Sequence, residues 1–141
     1  MLMGLAPYGK PNALLEEKVS KIIKWRTDDD GNFEFDIDAE YLYLSKRSPL
    51  NSMLTEKLIK EFGQPCPEGV ETPDQFYKDV AYAAQDRLER TLVRFTDRFI
   101  TQTEHQFITL SGGVCLNCKV NGRIWSELDS IKDIYIISTS S

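Results

Sequence analysis

The sequence predicts an α/β fold: a mixed sheet crossed by one long helix, with a C-terminal strand–helix–strand unit. Two patterns carry this prediction. Residues 72–102 repeat apolar side chains at helical spacing over an unusual length. The C-terminal stretch then alternates between strand and helix patterns, with elements expected near 106–111, 114–127 and 132–138. A helix that joins two parallel strands makes a right-handed crossover, so we expect a βαβ unit there.

The N-terminal part of the chain predicts a loop, a helix and a turn. Residues 1–11 contain two glycines and two prolines, which interrupt regular structure. Asn12 is a suitable N-cap for a helix that extends to about Trp25 with apolar residues on one face. The run 28–31, three aspartates and a glycine, then predicts a turn.

Short elements are expected in the middle of the chain. Apolar and acidic residues alternate over 33–37, which is the period of a strand. Residues 40–45 are either its partner strand or the start of an irregular segment. Asn51 is expected to cap a short helix that stops at Gly63, because glycine accommodates the left-handed conformation that ends many helices.

The long helix has a clear start in the sequence. Thr72 is a suitable N-cap, Pro73 suits the first turn, and Gln75 completes a capping box. The helix is expected to run to about Gln102 and to cross the whole domain. Its apolar stripe consists of Phe76, Val80, Ala83, Ala84, Leu88, Leu92, Phe95 and Phe99.

Two glycines, Gly112 and Gly113, lie between the predicted strand and the predicted helix of the βαβ unit. Glycine lets the backbone approach a ligand closely and adopt positive φ. The free N–H groups at a helix start attract anions, and Asn117 lies about one turn further on, within reach of the same ligand. The pattern therefore indicates a phosphate or nucleotide site, with a purely structural tight turn as the alternative.

Cys115 and Cys118 form a C-x-x-C motif at the same helix start. A helix N-terminus activates a nearby thiol, so a thioredoxin-like redox pair is one interpretation. Buried, inert thiols are the other. Zinc is not indicated, because the sequence contains no second C-x-x-C motif. The third cysteine, Cys66, lies on a predicted loop.

Composition and charge exclude several classes of protein. With 141 residues, of which 41% are hydrophobic and 28% charged, the chain has the make-up of one soluble domain. A formal charge of −5 argues against a nucleic-acid partner. No apolar run approaches the ~20 residues that span a bilayer, and no signal-peptide pattern opens the chain. An odd number of cysteines indicates free thiols in a reducing cytoplasm.

Two longer motifs resemble those of a known enzyme family. The run LSGGVCLNCKVNGRI, residues 110–124, resembles a signature of the carbamoyltransferases that modify nodulation factors and antibiotics such as cephamycin and tobramycin. Residues 2–11 resemble a second signature of that family, and residues 131–138 resemble the strand that follows the first. The motifs stand in the family's order and at about its separation, whereas residues 26–72 match loosely.

This resemblance implies a fold and a set of site residues. The family belongs to the actin-like ATPase superfamily, so the chain would be a partial actin-like ATPase (ribonuclease H-like) domain. The resemblance implies nucleotide contacts from Gly112 and Gly113 in the phosphate or ribose region. It implies a polar contact from Asn117 beside them, and it places Tyr8 and Gly9 near the same pocket.

The resemblance also implies an activity. The intact enzyme would combine carbamoyl phosphate and ATP into a carbamoyl-adenylate and pass the carbamoyl group to a hydroxyl of a sugar or natural product. Residues 1–141 would form a single domain, the second half of the N-terminal nucleotide-handling domain truncated at both ends, and would be inactive alone. The family's iron is bound by two histidines and an aspartate. Because His105 is the one histidine here, no metal ligand is predicted in this chain. No catalytic residue is predicted either.

The sequence is compatible with two other functions. One is a nucleotide-binding module of the same superfamily without transfer activity. The other is a thiol redox protein that uses Cys115 and Cys118. An incomplete domain with an unpaired sheet edge also favours pairing between copies, so a homo-oligomer is among the expected partners, beside the substrates and a hydroxyl-bearing small molecule.

Overall fold

The computed structural model describes residues 2–42, 55–67 and 69–137. Its contacts group into two compact units, one made of Met1–Trp25 and Phe35–Arg87, the other of Arg26–Glu34 and Leu88–Ser141. That 1–141 act as a single domain stays a prediction. Among the described helices, none is both long and apolar enough to cross a membrane.

The first unit contains most of the shorter helices and the start of the long one. Asn12 caps a helix as predicted, because its side-chain oxygen accepts hydrogen bonds from the backbone N–H groups of Leu14 and Leu15. The core of this unit is formed by Leu15, Val19 and Ala83, with Phe62, Val80 and Ala84 packed against them. The helices are α1 (Leu2–Leu5), α2 (Ala13–Ile22), α3 (Glu56–Phe62) and the start of α4 (Gln75–Thr103).

The predicted end of α2 is wrong. The helix ends at Ile22, and the segment Ile23–Thr27 that was expected to continue it is strand β1. The Arg87 side chain on α4 donates two hydrogen bonds to the Ile23 carbonyl, at 3.0 and 2.8 Å. The same guanidinium lies 3.6 Å from the centre of the Trp25 ring. These contacts hold an extended backbone that local helix propensity alone does not favour.

Strand β2 (Phe33–Ile37) confirms the strand that the alternating pattern predicts. Its partner among the described strands is β1. Residues Ala39–Tyr41 form a short 3-10 helix instead of a second strand, and the remainder of the 40–45 prediction after Leu42 lies outside the described residues. The turn between β1 and β2 is closed by Asp28, whose Oδ1 accepts from the backbone N–H groups of Asp30 and Asn32.

Helix α3 has a different N-cap from the one predicted. Thr55 caps it, with its hydroxyl oxygen accepting from the Leu58 N–H at 3.1 Å. Asn51, the predicted cap, lies outside the described residues. The predicted end is confirmed, because Gly63 follows the helix with a φ of 87°.

The length of α4 is confirmed and its predicted capping box is not. The helix begins at Gln75, and the Asp74 carbonyl accepts from the N–H groups of Tyr77 and Lys78. The Gln75 amide donates to the Tyr8 carbonyl and to the Asp79 carboxylate. Its side chain is therefore engaged with the N-terminal segment, which is distant in sequence, and is not turned back toward Thr72.

The second unit holds the predicted βαβ unit. Strand β3 (Phe107–Leu110) pairs in parallel with β4 (Asp133–Ile136), with Phe107 opposite Asp133 and Leu110 opposite Ile136. Helix α5 (Cys118–Glu127) connects them. The core of the unit consists of Val93, Ile100, Val120, Ile124, Leu128 and Ile131, with Leu88, Leu92, Ile108, Leu110 and Ile134 packed against it.

The single mixed sheet that the sequence predicts is not found in the described residues. Their strands form two separate two-stranded sheets, β1–β2 and β3–β4. The first is a local hairpin whose strands pair across a short turn, and the second depends on the α5 crossover. Each strand therefore pairs with the strand that its own connection brings beside it. Alternating patterns alone do not indicate which strands pair.

Candidate functional site

The glycine turn lies at the carboxyl end of β3. Gly112 has φ 96° and ψ 169°, a conformation that glycine adopts without the steric cost of a side chain. Apart from its two chain neighbours, a Cβ atom placed on either Gly112 or Gly113 would meet no atom of the described residues within 4 Å. The space beside both glycines is therefore open, and at Gly113, whose φ is not positive, no contact among the described residues requires a glycine.

The predicted start of the helix at 114 is wrong. Residues Gly113–Leu116 form a 3-10 helix, and α5 begins only at Cys118. The 3-10 segment is closed by hydrogen bonds from the Cys115 N–H to the Gly112 carbonyl and from the Asn117 N–H to the Val114 carbonyl. The extended backbone of Asn117, with φ −80° and ψ 94°, separates the two helical segments.

Asn117 is the N-cap of α5. Its Oδ1 accepts from the backbone N–H groups of Lys119 at 3.2 Å and Val120 at 3.3 Å. The side-chain oxygen is thus committed to the helix start, where it satisfies two N–H groups that have no partner inside the helix. The sequence prediction that Asn117 contacts a ligand stays a prediction, and the capping role is an addition to it.

Asn121, inside α5, contacts the glycine turn and was not predicted from the sequence. The residue is 9% exposed, and its Nδ2 donates to the Cys115 carbonyl at 2.7 Å. A signal was present in the sequence, because Asn117 and Asn121 are four residues apart and so lie on the same face of α5. The structure brings Gly112, Gly113 and both asparagines together in the second unit.

Tyr8 and Gly9 lie in the first unit, where they adjoin α4. Residues Ala6–Tyr8 form a 3-10 helix, and a Cβ on Gly9 would lie 2.1 Å from the Lys78 carbonyl oxygen. The Lys10 N–H donates to Asp79 at 2.8 Å. Hydrogen bonds from the Gln75 side chain and then from this N–H lower the pKa of the Asp79 carboxyl. Close packing therefore accounts for the glycine at position 9.

Comparison with known proteins identifies the family of this chain. The sequence profile described as "Carbamoyltransferase N-terminus" matches residues 1–140. The chain belongs to this family. It is also 29% identical over 135 residues to the uncharacterized protein sll1178 of Synechocystis sp.. That match covers 96% of the chain and 20% of the relative, so the chain spans about a fifth of the relative's length.

The two cysteines beside the glycine turn of this carbamoyltransferase N-terminal domain are free thiols. Cys115 is half-buried, and its Sγ donates to the Ser111 carbonyl at 3.1 Å. Cys118 is exposed and is the first residue of α5. The Cys115 thiol thus helps to close the turn, which is a structural role for it.

The residues described here do not fit the iron that the family resemblance implies. Among residues 2–42, 55–67 and 69–137, no group of three or more His, Cys, Asp or Glu side chains is placed to hold a metal ion. His105 is exposed, just beyond the end of α4.

A separate cavity of about 430 Å³ lies in the first unit. Its lining is apolar and includes Leu5, Val19, Phe62, Phe76 and Val80. None of the predicted site residues lines it. A cavity of this chemistry does not suit a phosphate or a nucleotide, because burying a charged group without polar partners is costly.

Proposed function

We propose that this domain supplies part of the ATP site of a carbamoyltransferase. The observation that carries the proposal is the open Gly112-Gly113 turn between a parallel strand and a capped helix. Ligands of parallel α/β sheets bind beyond the carboxyl ends of the strands. The family match over residues 1–140 supports carbamoyl transfer as the reaction class.

The turn has the physical properties that an anionic ligand requires. Without Cβ atoms, the two glycines allow phosphate oxygens to approach the backbone N–H groups. The start of α5 adds the positive end of its dipole. Residues 111–114 are exposed, so a nucleotide reaches this backbone without displacing core side chains.

The reaction we propose for the intact protein activates a poor electrophile. Carbamoyl phosphate is hydrolysed to carbamate and phosphate, and a carbamate oxygen then attacks the α-phosphorus of ATP and displaces pyrophosphate. The product is carbamoyl-adenylate, in which AMP is a good leaving group. The oxygen of an acceptor hydroxyl then attacks the carbamoyl carbon and AMP departs. We propose a small hydroxyl-bearing molecule, a sugar or natural product, as the acceptor, and the free thiols favour a reducing compartment such as the cytoplasm.

An NMR titration with ATP tests the nucleotide site on a matched pair of glycine variants. Gly113→Ala and Gly122→Ala each add one methyl group at an exposed position where the described residues leave open space. We expect ATP to shift the amide signals of 112–114 in the wild type. We expect Gly113→Ala to weaken binding by about tenfold or more, a loss of roughly 1.4 kcal/mol, because its methyl group blocks the phosphate.

Gly122→Ala is the control because Gly122 lies inside α5 and away from the turn. It should bind ATP as the wild type does. Equal affinity in all three proteins would contradict the proposed site. So would ATP-induced shifts that spare residues 112–114 and appear elsewhere in the chain.

Tyr8, in the first unit, is a further nucleotide contact that we propose on the family resemblance. The residue is 68% exposed, while its backbone carbonyl is held by Gln75 at 3.1 Å. The ring is thus available to a ligand although the backbone is fixed. Shifts of the Tyr8 and Gly9 amides in the same titration would support their contribution, and the close packing of Gly9 gives the alternative explanation for that residue.

A further inference from the structure

We propose that Asn121 is a positioning residue of the glycine turn. Its side-chain amide holds the Cys115 carbonyl and thereby fixes the 3-10 segment that follows Gly112 and Gly113. This inference rests on the proposed function, because it concerns how the same turn is shaped for a nucleotide. Neither the family match nor the motif assigns this role to Asn121.

The hydrogen bonds of the turn form a continuous chain. Asn121 Nδ2 donates to the Cys115 carbonyl at 2.7 Å, and the Cys115 N–H donates to the Gly112 carbonyl at 3.0 Å. The Asn121 N–H in turn donates to the Asn117 carbonyl at 3.1 Å. Helix α5 is therefore connected to the glycine that carries positive φ through two hydrogen bonds of one residue, Cys115.

Burial fixes the orientation of the Asn121 amide. The residue is 9% exposed and belongs to the buried face of α5, with Val120 and Ile124. Turning the amide over would place Oδ1 against the Cys115 carbonyl, where two acceptors repel each other. The Nδ2 donor must therefore face the turn. Because Asn121 is buried in α5, this orientation is held in place.

The oxygen of the same amide is unfavourable for the stability of the fold. In the part of the chain that the structure describes, Asn121 Oδ1 has no hydrogen-bond partner. A buried acceptor without a partner destabilises a fold, and an apolar side chain at this position would avoid that cost. Fold stability alone thus gives a weak reason for asparagine here, whereas holding the turn gives a direct one.

These contacts give the two asparagines different roles. Asn117 uses its oxygen to cap α5, and Asn121 uses its nitrogen to hold the residue two positions before that cap. Loss of the Asn117 cap should loosen the helix start. Loss of the Asn121 donor should leave the helix intact and release the Cys115 carbonyl, which changes the direction of the N–H groups at 112–114.

The experiment uses the 141-residue chain and three variants. Asn121→Leu and Asn121→Ala both remove the donor, and the smaller alanine cannot clash with neighbouring side chains. Val120→Ala is the structural control. Val120 is a buried core residue of the same helix, and its side chain cannot form a hydrogen bond with the turn. Each protein is measured for its ligand-free amide spectrum, its urea unfolding and its ATP affinity.

We expect both Asn121 variants to shift the amide signals of 112–116 without ATP, and to leave those of β3 and of the second half of α5 in place. We expect their ATP affinity to fall by about three- to tenfold, the range for one lost hydrogen bond. Val120→Ala should lower the urea midpoint and keep the wild-type affinity. A merely structural role for Asn121 would give the Val120→Ala result, and this would overturn the inference.

The ligand-free spectra separate this inference from the proposed function. If the wild type does not bind ATP, the proposed function fails for this chain, and the amide shifts at 112–116 still decide whether Asn121 positions the turn. Unchanged signals at 112–116 in a folded Asn121→Ala variant would overturn the inference whatever the ATP result. Shifts spread evenly through β3, α5 and β4 would also overturn it.

Discussion

Gly9 shows how one glycine can be explained in two ways. The family resemblance assigns it to a nucleotide pocket, whereas in the structure its α-carbon adjoins α4 so closely that a methyl group would lie 2.1 Å from the Lys78 carbonyl oxygen. That carbonyl is part of a helix backbone and cannot move aside cheaply. A substitution here therefore acts first on the packing of the N-terminal segment.

We predict that Gly9→Ala lowers the free energy of unfolding by about 1–3 kcal/mol, the cost of overpacking a close contact. Urea unfolding measures the change. Gly4→Ala is the matched control, because Gly4 lies in α1 of the same segment and has open space beside its α-carbon. Wild-type stability in Gly9→Ala, together with lost ATP binding, would instead favour a direct role for Gly9 in the nucleotide site.

At the scale of the element, α5 shows why a cap and a ligand contact are hard to separate by alanine substitution. Asn117→Ala removes the oxygen that accepts from Lys119 and Val120. N-cap losses cost about 1 kcal/mol. An alanine variant that binds ATP poorly is therefore consistent with either role, and a variant that keeps the cap is needed.

Asn117→Asp provides that variant. Aspartate caps helices as well as asparagine does, so we predict an unfolding free energy within about 0.5 kcal/mol of the wild type. The added negative charge lies at the turn, so we also predict weaker ATP binding and unchanged binding of uncharged adenosine. Calorimetric titration with both ligands measures this. Equal loss for ATP and adenosine would argue against a phosphate beside Asn117.

The elements also show where local patterns were sufficient. The capped start at Asn12 and the glycine after α3 depend on residues a few positions apart. The long α4 depends on a repeated apolar stripe. Such features follow from sequence because the interacting groups are neighbours in the chain. The predicted end of α2 was wrong because the strand that follows the helix is held by Arg87, which is 64 positions from Ile23.

For the whole molecule, acid should weaken the fold through paired carboxylates. The Lys24 ammonium, 2.9 Å from Asp38, is the main cause that lowers the pKa of this carboxyl from 3.8 to about 2, with the Glu40 N–H and then Lys57 adding to it. Hydrogen bonds to Asp28, Glu61 and Asp79 lower the pKa of each of these groups too.

A lowered pKa in the folded state means that the unfolded state binds protons more readily. The stabilisation from Asp38 is thus fully present above the unfolded value of 3.8 and is lost as pH falls toward the folded value of about 2. We predict that urea midpoints decrease below about pH 4. Asp38→Asn should show a smaller decrease over that window, and an identical pH profile would argue against the Lys24–Asp38 pair.

The α/β class, the long helix and the βαβ unit could be predicted without the structure. Two motifs at opposite ends of the chain also predicted a carbamoyltransferase N-terminal domain, which the family match over residues 1–140 confirms. Each of these depends on periodicity or on contiguous residues. Three features could not be predicted in this way: the end of α2 at Ile22, the contact of Gln75 with the N-terminal segment and the contact of Asn121 with the turn. Long-range contacts decide the first two, and the burial of Asn121 follows from core packing, which a linear pattern does not specify.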